Sequence, residues 1–284
     1  MWRGAFEIWH PVVLAAYFAG TIALAMFGIC PACVAISLVG GLLFALVTQG
    51  VRASLAKLRW QLPLLVLICL INPLYSAMGS TLLGKVGPFR IYAESLAYGA
   101  VMGALLVSVL LWFEAAAGVV RQDEVMELGG GVLPAITLAT SMVMRLIPQL
   151  MERGREARAV VEATRGKGGV RSQSMRLMSV LLTWSLEDSV ERADSMRARG
   201  WGATAKRTVL HQHAFRLRDG AALLVVLALL AASAVGVRLT LAGWRFYPRM
   251  EGTASPLVLV PYALLALLPT ALVALENLRW EARS

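Results

Sequence analysis

Few residues in this 284-residue chain combine type and spacing in a way that could do chemistry. The stretch CPAC, Cys30 to Cys33, copies the CxxC spacing of thiol redox sites. It lacks the soluble strand-then-helix setting that such a site requires, so its thiols read as small hydrophobes around a tight Pro31 turn, with Cys69 a third in another apolar run. His211 and His213, in HQH, offer two imidazoles to a metal with no third ligand nearby, which suits a solvated domain edge. RGKGG, Arg165 to Gly169, sets a lysine among glycines without the GxxxxGK[ST] spacing or the hydroxyl that hold phosphate and magnesium. No HExxH, no GxSxG and no paired intramembrane aspartates occur, and the apolar runs hold almost no ionisable group besides Glu114, near a helix end. A membrane enzyme finds no convergent polar site here.

The remaining candidates are arginines at helix ends. Between Arg121 and Arg218 charges of both signs alternate with apolar residues at helical spacing. Pro134 suits the first turn of a helix that runs through ATRG, Ala163 to Gly166, perturbed near Pro148. After the polar break GKGGVRSQS, a second helix extends from Met175 to the stretch ADSMRARGWG, Ala193 to Gly202. On it Leu182, Leu186, Val190, Ala193 and Met196 form one apolar stripe, and Asp188 precedes Arg192 by one turn as an ion pair. Arg199 ends that helix without a local acid, and Gly200 stops it. Both helices therefore close on a small residue, an arginine and a glycine. One reading is a cation complementing the helix dipole before a glycine stop. The other is a planar, always-charged fork presented to a groove of carboxylates or carbonyls on a dedicated partner.

Composition sets the frame for those helices. With 58% hydrophobic residues, 15% charged residues and a mean hydropathy of +0.68, the chain reads as an all-α integral membrane protein. Six apolar runs of about the length a bilayer needs lie near 12–28, 32–48, 62–78, 96–118, 221–241 and 257–275. The first is expected to stay in the mature protein, since no small-residue cleavage site follows it. The net charge of +10 marks cytoplasmic loops and anionic lipid head groups; nucleic acid is not an expected partner. The loop VRASLAKLRW, with Arg52, Lys57 and Arg59, and the arginine-rich insertion after Val120 then fall in the cytoplasm together with both termini. Arg238, Arg245 and Arg249 dissent from that topology, although Trp244 and Tyr247 beside them fit an interfacial belt. The expected organisation is a membrane domain at 1–120 with about four spans, a cytoplasmic helical coupling domain at 121–218, and a transmembrane hairpin at 219–284. Gly99, Ala100, Gly103 and Ala104 along the fourth span permit close helix approach, to a partner or within the chain.

Several stretches resemble the transmembrane T component (EcfT/CbiQ-like family) of energy-coupling factor (ECF) transporters. They are HP at His10 and Pro11, NP at Asn72 and Pro73, LWF at Leu111 to Phe113, SMVMRLIP at Ser141 to Pro148, and TWSLEDSVERADSMRARGWG at Thr183 to Gly202. The resemblance implies an energy-coupling subunit whose two cytoplasmic coupling helices each dock a short small-Arg-small motif on one of two ABC ATPase subunits. Ala198, Arg199 and Gly200 match that motif directly, whereas Thr164, Arg165 and Gly166 depart from it by a threonine. Arg145, Pro148, Asp194 and Arg197 lie in the matching stretches and are expected to support the coupling helices. The chain would then be non-catalytic and bind no cofactor. ATP and magnesium belong to the partner ATPases, and a vitamin or metal ion to a small membrane S component. Its place would be the bacterial cytoplasmic membrane. The alternative is a self-sufficient multi-span carrier or channel with a cytoplasmic regulatory domain, for which inverted repeats or charges within spans are the expected signs.

Overall fold

The computed structural model describes residues 6, 9–75, 79–86, 89–120, 134–163, 170–203, 215–247, 250–252 and 255–281. Among these residues are eight helices: α1 (Pro11–Phe27), α2 (Pro31–Gln49), α3 (Val51–Tyr75), α4 (Ala93–Val119), α5 (Pro134–Ala163), α6 (Val170–Ala198), α7 (Leu217–Gly243) and α8 (Pro256–Glu281). A short antiparallel hairpin, β1 (Leu82–Val86) and β2 (Phe89–Tyr92), joins α3 to α4. The chain divides into two compact units, one formed by Met1–Arg121 with His213–Ser284 and the other by Gln122–Gln212.

In the first unit, local chemistry sets the helix starts. His10 caps α1 by accepting the Val12 N–H at its Nδ1, 3.3 Å away, and proline occupies the first turn of both α1 and α2, where its missing donor costs nothing. The sequence suggested a loop at VRASLAKLRW. The structure places all of it in α3, which starts at Val51 directly after Gly50, whose φ is +81°. Alanine, leucine, lysine and arginine propagate a helix readily, and no glycine or proline interrupts the stretch between Gly50 and Pro63. At its other end α3 runs through Pro73 to Tyr75, so the NP pair lies inside the helix. Glu94 in the first turn of α4 accepts from Ser80 Oγ (2.8 Å) and the Thr81 N–H (3.1 Å), tying the hairpin to a helix N-terminus that favours an anion.

Among the described residues five helices are long and apolar enough to cross a membrane: α2, α3, α4, α7 and α8 up to Leu278. The six-span expectation is therefore met in full only by five, because α1 has 17 residues and covers about 25 Å of a hydrocarbon core near 30 Å. Its packing nevertheless follows α7 closely. The Arg218 guanidinium sits over the Trp9 ring at 5.0 Å, Gly20 lies against the Leu230 side chain, and Gly28 lies near Val237. Residues 9 to 28 thus run parallel to 218 to 237, equal stretches of the chain covering the same depth.

The core of this unit centres on Trp112 of α4, Tyr262 and Leu265 of α8, Phe44 of α2 and Tyr17 of α1. Its polar atoms are mostly answered inside: Trp112 Nε1 donates to Ser37 Oγ at 3.0 Å, Ser37 meets Ser108, and Tyr17 donates to the Leu265 carbonyl at 2.7 Å. Close helix approach depends on glycine. A Cβ on Gly103 would stand 2.9 Å from the Leu65 carbonyl oxygen, and one on Gly99 3.0 Å from that of Cys69. These two small positions of α4 therefore serve packing against α3 within the chain.

Candidate coupling surface

The second unit contains α5 and α6. Gln149 of α5 pairs with Arg192 of α6, Arg153 with Asp188, and Gly154 lies against Leu181, so the helices pack antiparallel. Asp188 is the hub. It pairs with Arg192 at 2.7 Å one turn along its own helix, as the spacing predicts, and reaches Arg153 of α5 at 3.8 Å. Arg192 Nη2 also donates to Gln149 Oε1 at 2.7 Å. The Asp188 side chain is only 17% exposed, which shields this network from water more than an ordinary surface pair.

That arrangement assigns the faces of α6. The side turned to α5 carries Leu181, Asp188 and Arg192. Leu182, Leu186 and Val190 of the apolar stripe are instead exposed, at 57%, 69% and 61%, with Ala193 exposed beside them and Met196 half-buried. An uncovered stripe of that length marks an interaction surface.

At the C-terminal end of α6 the backbone forms a Schellman cap. Gly200 N–H donates to the Arg197 carbonyl at 2.9 Å and Trp201 N–H to the Met196 carbonyl at 3.0 Å, with Gly200 at φ +80°. Arg199 is the C-cap residue, one past the last helical residue Ala198. A second left-handed glycine, Gly202 at φ +83°, sits at the third position of the turn closed by Ala203 N–H on the Gly200 carbonyl. A Cβ on Gly200 or Gly202 would meet nothing within 4 Å, so glycine is required there for backbone conformation alone. Arg197, Ala198, Arg199 and Gly200 are all exposed; the Arg199 N–H donates to the Ser195 carbonyl at 3.1 Å, while no described residue gives its guanidinium a hydrogen bond or an ion pair.

Arg145, Pro148 and Asp194 are also exposed, with Pro148 inside α5. Thr164, Arg165 and Gly166 lie outside the described residues, as do Lys167 and the HQH histidines His211 and His213. The helix that leads to Thr164 ends at Ala163. Ala163 is fourteen residues beyond Gln149 in one direction, and Ala198 is six beyond Arg192 in the other. At 1.5 Å per residue the two helix ends stand about 30 Å apart along the pair and point oppositely.

No family model and no curated protein matches the chain.

Sequence reading missed two residues of this surface, Gln149 and Arg153. Their only local signal was position on the polar side of α5, and neither has its partner within a turn. In the first unit Glu114 is held by Lys57 Nζ at 2.9 Å and Gln61 Nε2 at 3.3 Å, a brace between α3 and α4. A charge so paired at a helix end has a structural role available to it without any substrate.

Proposed function

We propose that this chain is the energy-coupling transmembrane subunit of an ECF-type importer, with α5 and α6 as its coupling helices. The observation that carries this reading is the tip of α6: Arg199, exposed and unpaired among the described residues, held at a Schellman-capped end between small residues. A bare guanidinium fork on a preorganised turn is suited to bidentate capture by carboxylates or carbonyls in a protein groove. The second tip, at Thr164 to Gly166, follows α5 at the opposite end of the pair, which suits two separate ATPase subunits better than one.

The chain carries no phosphate-cradling loop in its sequence, so hydrolysis of ATP with magnesium belongs to the partners. Closure of the ATPase pair draws the two docked ends together. The Asp188 network passes that motion from one coupling helix to the other, and the membrane helices respond. The exposed stripe at Leu182, Leu186 and Val190 is the surface offered to the membrane S component, which binds the vitamin or metal ion. In this reading the protein sits in the bacterial cytoplasmic membrane with α1 crossing beside α7, both termini and the basic start of α3 being cytoplasmic.

The deciding experiment is a mild-detergent pull-down of the tagged protein expressed with its neighbouring genes, comparing wild type with Arg165→Ala/Arg199→Ala. ATPase subunits and activity should accompany the wild type and be lost with the double variant. A wild-type protein that comes down alone and inactive would instead favour the self-sufficient carrier or channel.

A further inference from the structure

We propose that Cys30 and Cys33 form an intramolecular disulfide in the mature protein, closed at the non-cytoplasmic end of α2. The sequence alone left this pair as two inert small side chains. In the structure Cys30 is the N-cap residue of α2 and Cys33 lies in its first turn, with their Sγ atoms 2.7 Å apart and the Cys33 N–H directed at Cys30 Sγ at 3.2 Å. The structure holds both as free thiols, placed within a small side-chain adjustment of the about 2.05 Å that a disulfide requires. Each residue is 1% exposed, and Cys69 is engaged elsewhere, with its Sγ 3.6 Å from the Leu96 carbonyl oxygen. Among the described residues no group of three or more histidine, cysteine or acidic side chains offers a metal a fuller set of ligands.

Position in the bilayer supplies the redox compartment. Helix α2 has 19 residues, about 28 Å, so its two ends lie one hydrocarbon thickness apart. One end leads through Gly50 into Arg52, Lys57 and Arg59, the basic end. The other carries the cysteine pair beside Gly28 and Val237, on the side where Tyr98 meets Phe246 at 5.1 Å and Phe246 meets Trp244 at 5.9 Å. Arg238 and Arg245 also lie toward this end, but the part of α4 that Lys57 braces through Glu114 leads into the arginine-rich stretch after Val120, so the larger basic set is at the opposite end. Basic residues stay inside, which puts CPAC toward the oxidising side. This step rests on the cytoplasmic placement of the basic end proposed above.

The oxidant is a disulfide of the exocytoplasmic side, carried by a protein or small-molecule dithiol couple. The Cys30 thiol loses its proton, favoured at a helix N-terminus, and its thiolate attacks one donor sulfur; the donor disulfide breaks and releases one donor thiol. The Cys33 thiolate then attacks Cys30 Sγ and expels the second donor thiol. Two protein thiols and one donor disulfide become one protein disulfide and two donor thiols. At 1% exposure the finished bond is out of reach of soluble reductants, so the exchange accompanies folding and the product is structural.

The test counts thiols on the full-length protein. Cells are acid-quenched, and the protein is denatured without reductant and treated with a mass-tagged maleimide. One tag, on Cys69, is expected before reduction and three after it; three tags before reduction overturn the proposal. In a Cys69→Ser background the expected counts are none and two. Orientation is read separately, by placing Ala53→Cys in a cysteine-free chain and labelling with an impermeant maleimide. Reaction only in inside-out vesicles places the basic end in the cytoplasm, and free thiols at Cys30 and Cys33 would then sink the disulfide by itself. Reaction in intact cells would remove the orientation and the compartment argument with it.

Discussion

Arg192 of α6 donates a 2.7 Å hydrogen bond to Gln149 of α5 while holding Asp188 of its own helix at 2.7 Å. One side chain thus belongs both to the local ladder of α6 and to its tertiary contact. Helices α5 and α6 are joined through a charge centre whose acid also faces Arg153.

Asp188→Asn keeps the size of the side chain and removes the charge that collects two arginines. Because the partners are a third or more exposed, the loss is about 1 kcal/mol of stability, well short of what a fully buried pair would show. Thermal unfolding should shift down by a few degrees. ATPase subunits should still co-purify, since the tips are untouched, while uptake falls. Unchanged uptake with the expected loss of stability would show that the network holds the helices without transmitting anything.

Arg199→Glu reverses the charge of an exposed side chain that makes no hydrogen bond or ion pair with described residues of its own chain. Membrane insertion and stability should be unaltered. Association with the ATPase should weaken on the order of a hundredfold, because a carboxylate then faces a groove lined to receive a cation. Full co-purification of ATPase with this variant would remove Arg199 from the docking role.

Gly200→Ala tests the cap apart from the charge. The left-handed conformation at φ +80° costs an L-residue about 1 kcal/mol, and no neighbour would clash with the new methyl group. Amide exchange at Trp201, whose N–H closes the cap, should accelerate, and docking should weaken less than in Arg199→Glu. Gly200→Asn should fall between wild type and alanine, as asparagine tolerates that conformation.

Gly103→Val distinguishes internal packing from a partner interface. A Cβ there stands 2.9 Å from the backbone oxygen of Leu65, which cannot rotate away, so α3 and α4 must separate. The expected result is a chain destabilised by about 1–3 kcal/mol, with reduced yield in mild detergent. Normal stability with selective loss of a membrane partner would assign Gly103 to the outer surface instead.

Much of the molecule is written in local pattern. Apolar runs of bilayer length, prolines at helix starts, the Gly200 stop and the Asp188 to Arg192 spacing each depend on neighbours within a turn or two, and helical geometry converts such spacing directly into contact. Other features had no local signature. The apolar periodicity of α6 drew one stripe correctly, but periodicity does not say what a face meets. The α5 contact fell to Asp188, Arg192 and Leu181, leaving Leu182, Leu186 and Val190 uncovered. Gly103 against Leu65, Trp9 under Arg218 and Trp112 on Ser37 join positions tens to hundreds of residues apart. The basic stretch after Gly50 misled for the opposite reason: its charges suggested a loop, while its backbone propensity and the demand for internal hydrogen bonding continued a helix. Sequence alone determined that this is a helical membrane protein and that one of its helices, α6, stops at an arginine and a glycine. Tertiary structure decided which faces pair and which stay open, because that choice depends on steric fit and polar satisfaction between segments whose separation along the chain carries no periodic trace.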